Sequence, residues 1–298
     1  LKAHHPEAFL CALLNAWPMG FYHPATLVKD AERHGVEVLP IDVTRSDWRC
    51  TIERREPAPG ARRRLRVSVR LGLRFVRGLR EEAGRRIVTA RAERSFLGPG
   101  DLAARASLLE RELSSLAELG ALGRIAGSRR AASWQVRGLA TSREPLFSGM
   151  EAPNGVPPGR TMSALEETLA DYRTSGMTTG PHVMAHFRSV LGRRGVVSLA
   201  RLGQAANGAR LRTAGLVIVR QRPGTAKGLC FLTLEDETGT GNAVVMPDRF
   251  AEFRLLLHTA ALLVVEGIVQ RHDGVVHLNI AKVWGFSPGP TPASHDFH

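Results

Sequence analysis

Cysteine is scarce in this chain. There are three in 298 residues, Cys11, Cys50 and Cys230, and none is placed for a C-x-x-C pair. That argues against a disulfide framework and a thiolate zinc site, and it fits a reducing compartment such as the cytoplasm. Lysine is nearly absent. Only Lys2, Lys29, Lys227 and Lys282 stand beside 37 arginines, a skew that a GC-rich genome produces unaided. Long apolar runs are missing too. The most apolar stretch, Leu255 to Val269, is interrupted by His258 and Glu266, so no membrane span is expected. No signal peptide is visible.

Catalytic signatures are also lacking. The chain has no G-x-x-x-x-G-K-[ST] loop, H-E-x-x-H helix, G-x-S-x-G elbow or K-x-D-G nucleotidylation site. Two-metal phosphoryl transfer needs clustered carboxylates. The dense acidic run Glu235-Asp236-Glu237 falls at a turn and reads as structural. His182 and His186, at i and i+4, have no third ligand in sight. No catalytic residue and no metal site is therefore assigned.

What is abundant is positive charge. The formal net charge is +13 and the pI about 11.0. A chain this basic suits a polyanionic partner. Between Arg54 and Arg94 there are 14 Arg against 4 Glu, a net of +10. Between Asn207 and Phe286, 9 Arg/Lys stand against 7 Asp/Glu, a net of +2. The cationic excess thus lies in the first half, where phosphate binding is the expectation.

The second half has the clearest pattern. Arg212–Arg220, Leu229–Glu235 and Gly241–Met246 read as three strands, Pro247–His258 as a helix, and Leu262–Gln270 with Val275–Trp284 as a hairpin across His272-Asp273-Gly274. Five strands with a helix between the third and fourth is the order of an OB-fold barrel, which commonly binds single strands. The basic loop Gln221–Gly228 sits where such barrels touch their ligand. Alternation in the second strand puts Cys230, Leu232 and Leu234 on one face, and Phe231 and Thr233 on the other. Phe231 is then a stacking platform. Arg220, Arg222 and Lys227 in the loop, with Arg271 by the hairpin turn, are the expected single-strand contacts.

Upstream, Leu1–Trp17 and Pro24–His34 read as helices, Arg64–Leu71 as an exposed strand, Glu81–Arg94 and Leu102–Leu122 as helices, and Ser128–Leu139 as a helix with Trp134 in the core. Val76-Arg77-Gly78-Leu79 before Glu81–Arg94 matches the apolar–Gly–apolar part of a helix-hairpin-helix loop, with Arg80 in place of the second glycine. Such loops hold a phosphate on free N–H groups at a helix start. Arg74, Arg77, Gly78, Leu79 and Arg80 are the expected duplex contacts. Ser163 and Glu166 form a capping box. The expected fold class is α+β and multidomain, a helical hairpin domain followed by the barrel. The expected organisation is a helical region over 1–57, the hairpin domain over 58–140, linker and helix over 141–206, barrel over 207–286 and a loose tail over 287–298.

Longer motifs point to a family. Leu1-Lys2-Ala3-His4-His5-Pro6-Glu7-Ala8-Phe9 and Gly35-Val36-Glu37-Val38-Leu39-Pro40-Ile41-Asp42-Val43 resemble the end of the fingers in bacterial C-family DNA polymerases, the polymerase III α type. Leu71 to Leu79 is similar to the family's approach to its hairpin. Asp171-Tyr172-Arg173-Thr174-Ser175-Gly176 with Gly180-Pro181-His182 resembles the segment before its barrel, and Gly215–Val217 through Gly228–Gly239 its OB domain. The ending Ser294-His295-Asp296-Phe297-His298, soon after the barrel, is most like the error-prone, damage-tolerance branch. The resemblance implies that the chain is a piece of a longer polypeptide, opening as it does on Leu inside a helical pattern. It implies that the catalytic palm, with its magnesium, lies before Leu1. It implies duplex and single-stranded DNA, other damage-tolerance proteins and the sliding clamp as partners, with Leu146 and Phe147 as the clamp contact and Arg143 where the family has Gln. The rival expectation is a stand-alone nucleic-acid-binding accessory protein. An upstream reading frame encoding palm aspartates separates the two.

Overall fold

The computed structural model describes residues 1–19, 22–55, 66–141, 160–272, 274–286 and 295–297. They form two compact units, Leu1–Thr179 and Gly180–His298.

The first unit opens with α1 (Pro6–Asn15) and α2 (Pro24–Arg33), each with proline in its first turn, where the missing N–H is no loss. Strands β1 (Glu37–Leu39), β2 (Thr51–Arg55) and β3 (Arg66–Arg70) make a small sheet with β3 in the middle. The expectation of an exposed strand here is corrected. Val69 and Ser68 are fully buried, and Arg70 is buried against Glu53 at 2.7 Å and the Pro40 carbonyl at 2.8 Å. Helices α3 (Glu81–Glu93), α4 (Pro99–Arg105), α5 (Glu110–Leu119), α6 (Gly123–Ala126), α7 (Arg129–Thr141) and α8 (Ala164–Ser175) follow. The single helix expected over Leu102–Leu122 is broken at Ser107, whose φ of +49° no continuing helix permits. Leu14, Val38, Val69, Ile87, Leu116 and Val136 belong to one core. Residues from the expected 1–57 and 58–140 stretches thus share this core. Trp134 is partly exposed, against the expectation of a core residue. Ser163 and Glu166 do form the capping box of α8.

The second unit leads through α9 (Arg188–Arg193), β4 (Val196–Val197) and α10 (Leu199–Gln204) into the barrel. Its strands are β5 (Arg210–Gln221), β6 (Cys230–Asp236), β7 (Gly239–Val245), β8 (Leu262–His272) and β9 (Val275–Phe286). β5 pairs β6, β6 pairs β7, β7 pairs β9, β9 pairs β8 and β8 returns to β5, so the barrel closes. Closure removes the free edges that would otherwise invite aggregation. Helices α11 (Pro247–Glu252) and α12 (Arg254–Thr259) fill the interval between β7 and β8. The core holds Val217, Leu232, Leu234, Val245, Leu263, Val265, Leu278 and Val283. A bulge interrupts the β8–β9 ladder at Glu266/Gly267, leaving Ala281 opposite nothing. A Cβ on Gly267 would overlap the Asn279 carbonyl oxygen, so the close strand approach there requires glycine. In the tail expected to be loose, His295–Phe297 forms β10, parallel to β5 at Val219–Gln221.

Candidate nucleic-acid interface

In the first unit the chain turns through Val76-Arg77-Gly78-Leu79-Arg80 into α3. Gly78 has φ +80°, a conformation that glycine adopts without strain. Arg77 and Gly78 are exposed, and Arg80 half-exposed. Beside the turn where a phosphate was expected lies one of the chain's own anions. Glu112, fully buried, accepts the Arg80 backbone N–H at 3.3 Å, Arg80 Nε at 2.8 Å and Nη2 at 3.2 Å, and the Leu109 N–H at 2.9 Å. Burial alone would raise the Glu112 carboxyl. The hydrogen bonds from Arg80 and from the two backbone N–H groups outweigh it and hold the group below its ordinary value. Glu81 and Glu82 in the first turn add negative charge.

The expected duplex contacts have different surroundings in the fold. Arg74 donates to the carbonyls of Asn15 at 2.9 Å and Trp17 at 2.7 Å, pinning α1. Leu79 is a core residue. Arg80 is ion-paired inward. Arg77 stays at the surface, with Nη1 on the Arg173 carbonyl at 3.1 Å and its N–H on the Thr174 carbonyl at 2.8 Å. The sequence could not pair Arg80 with a carboxylate 32 residues away. Leu146 and Phe147 lie outside the described residues.

The barrel presents an open groove of about 520 Å³. Phe231 and Thr233 line it from β6, Asn242 and Val244 from β7, Gln270 from β8, and His277 and Asn279 from β9, with Gln221, Met246 and Val275 at its ends. The expected alternation holds. Cys230, Leu232 and Leu234 are buried, while Phe231 and Thr233 are half-exposed on the other face. No carboxylate lines the groove among the described residues. Asn242 meets Thr233 at 3.3 Å and His277 meets Gln270 at 2.9 Å, so the floor carries amide and imidazole groups. These polar members were not singled out from sequence. Their signal was alternation along β7 and β9.

The loop between β5 and β6 divides its cations. Arg222 is exposed and stacked over Phe250 at 4.3 Å. Lys227 is exposed, at φ +49°, with no partner among the described residues. Arg220, near the end of β5, is turned onto backbone. Its Nε meets the Leu257 carbonyl at 2.7 Å and its Nη2 the Ala260 carbonyl at 2.6 Å, capping the end of α12. Arg271 is exposed, yet its Nη2 bonds the Gly203 carbonyl at 2.8 Å.

The acidic run is structural, as read from sequence. Asp236 accepts the N–H groups of Leu199, Thr238 and Gly239 at 2.8, 2.8 and 3.1 Å, and Arg188 bridges Asp236 and Glu237. His182 accepts the Met184 N–H at 3.2 Å as a cap. Among the described residues no three His, Cys, Asp or Glu side chains gather to hold a metal. The magnesium implied by the family resemblance thus finds no donor set in them. No helix among them is long and apolar enough to cross a membrane.

Comparison with known proteins agrees with this architecture. Residues 35–132 match the helix-hairpin-helix motif family, and residues 212–284 match the OB-fold nucleic acid binding domain family. The error-prone DNA polymerase of an Azoarcus species is 46% identical over 301 residues, covering 100% of this chain and 28% of that protein. That of Alkalilimnicola ehrlichii is 45% identical over 304 residues, covering 100% of this chain and 29% of that protein. Among solved structures, asparaginyl-tRNA synthetase from Pyrococcus horikoshii matches 33% of this chain and 24% of its own at 25% identity, with a TM-score of 0.27, too low to carry an argument. The chain spans under a third of the length of the curated relatives it matches. Over its whole length it is related to one region of the error-prone DNA polymerases, a helix-hairpin-helix segment followed by an OB-fold nucleic-acid-binding domain.

Proposed function

We propose that this chain is the DNA-holding region of an error-prone DNA polymerase acting in damage tolerance in the cytoplasm. The barrel guides single-stranded template and the cationic first unit grips nascent duplex. Nucleotide transfer, with its magnesium, belongs to a palm outside this sequence, and Leu146 and Phe147 contact the sliding clamp. The observation that carries the reading is the groove. It is open, free of carboxylates among the described residues and floored by Phe231, with Arg222 and Lys227 exposed in the adjoining loop. Aromatic platforms beside cations are what non-specific single-strand binding uses.

The test is Phe231→Ala in the whole chain. Stacking contributes about 1–3 kcal/mol per base, so affinity for an oligo-dT strand should fall by that much. The melting temperature should stay near that of the parent, because Phe231 is half-exposed and outside the barrel core. Unchanged single-strand affinity would remove the groove from the reading. Primer extension by the purified chain with dNTPs and magnesium would overturn the placement of catalysis elsewhere.

A further inference from the structure

The barrel carries a second aromatic platform beyond the groove. On β9, Leu278 and Ile280 face inward, and after the unpaired Ala281 the inward position is Val283. Asn279, Lys282 and Trp284 therefore all point to the outer surface. Across the ladder, Asn279 pairs Ile268, Lys282 pairs Glu266 and Trp284 pairs Val264. From β5, Arg210 lies opposite Ile268 and Arg212 opposite Glu266. The outer face thus runs without a break from the groove, over Ile268, to Trp284.

Its chemistry is cationic and aromatic. Trp284 keeps 42% of its surface exposed, with the Arg212 guanidinium 5.1 Å from its ring centre. Glu266 accepts Nε and Nη2 of both arginines, at 3.1 and 2.7 Å from Arg210 and 3.0 and 2.6 Å from Arg212. One carboxylate thereby orients two guanidinium groups and leaves a net positive charge. Lys282 is exposed and has no partner among the described residues. An acidic peptide adding as a strand would need a free edge. Here β8 is paired on both sides, by β5 and by β9, so it offers no edge to such a peptide. Cations grouped round an exposed indole fit an unpaired base with its phosphates.

We infer that single-stranded DNA leaving the groove continues across β9 and β8 to Trp284, which stacks on a base while Arg210, Arg212 and Lys282 meet phosphates. This rests on the groove reading above. From Asn279 to Trp284 the path follows five residue steps of strand, about 16 Å at roughly 3.3 Å per residue, so a strand held in the groove must extend that far past it.

The experiment uses the whole chain with oligo-dT of about six and about sixteen nucleotides, near the limits of OB-fold site sizes. Trp284→Leu should lose roughly tenfold in affinity for the long strand and nothing for the short one. Trp284→Phe, which keeps a stacking ring, should retain most of the long-strand affinity. Tryptophan fluorescence should be quenched by the long strand, and less so in Trp284→Leu, where Trp17, Trp48 and Trp134 remain. Lys282→Ala should flatten the log–log salt slope by about 0.7, the value for one phosphate on a single strand. Wild-type affinity and quenching in Trp284→Leu would overturn the inference. So would equal quenching by poly-glutamate, which marks a surface for any polyanion. Phe231→Ala read on the short strand separates the two sites. If it has no effect there, the groove reading fails whatever Trp284 does.

Discussion

Glu112 lies fully buried beneath Arg80 and holds its guanidinium by two hydrogen bonds, at 2.8 and 3.2 Å. The same carboxylate supplies half of a capping box to α5, because Leu109 at the N-cap has no side-chain acceptor of its own. One residue thus ties the hairpin turn to the next helix.

Arg80→Glu should consequently be a stability variant before it is a binding variant. It sets a second carboxylate against one that is already buried, with no cation left to compensate. The melting temperature should fall by several degrees. Arg77→Glu, at an exposed position, should leave melting nearly unchanged and weaken duplex binding of every sequence alike. A thermal melt of both variants beside a duplex titration decides it. An Arg80→Glu protein as stable as its parent would break the link to Glu112.

The same pair sets an acid limit. The folded Glu112 carboxyl lies below its unfolded value of about 4.3, so its stabilisation is complete above that pH. It is lost as pH falls through the lowered folded value. The stability difference between wild type and Glu112→Gln should be constant near neutrality and shrink below about pH 4.3. Denaturant melts across that range check the sign, and a difference that grows on acidification would contradict it.

At the end of β5 and in the loop after it, two cations should behave oppositely. Arg220→Ala removes two hydrogen bonds to carbonyls at the end of α12 and should destabilise the chain by about 1–3 kcal/mol. Lys227→Ala should leave melting untouched and reduce single-strand affinity and its salt dependence. If Lys227→Ala melts early and Arg220→Ala does not, the assignments are reversed.

Gly267→Ala should destabilise the barrel by at least about 1–3 kcal/mol, because its Cβ would meet backbone of β9 that cannot move without opening the ladder. Gly274→Ala, with open space around its Cβ, carries only the strain of its φ of +78°. Comparing the two melts separates steric overlap from backbone strain.

The barrel was legible because its signals are local. Alternation marked Phe231 and Leu232 correctly, and the turn residues set strand limits within a few positions. The cations were not legible as individuals. An arginine donates in the same way to a phosphate and to a carbonyl, so nothing in the sequence told Arg74 and Arg220 from Arg77 and Arg222. Their partners, Trp17 and Leu257, lie 57 and 37 residues away. The buried strand Arg66–Arg70 was misread for a related reason. Its alternating arginines look solvent-facing until Glu53 arrives beside Arg70 from β2.

Ala281 divides β9 into halves of opposite parity. Before it the even-numbered side chains, Leu278 and Ile280, fill the barrel; after it the odd-numbered Val283 does. Were Ala281 paired like its neighbours, with no bulge, strict alternation would carry Lys282 and Trp284 inward and expel Val283. Interior and exterior are thus written in two different frames on a single strand. Barrel closure and the cationic outer surface are consequently one property, set together by an alanine that pairs with nothing.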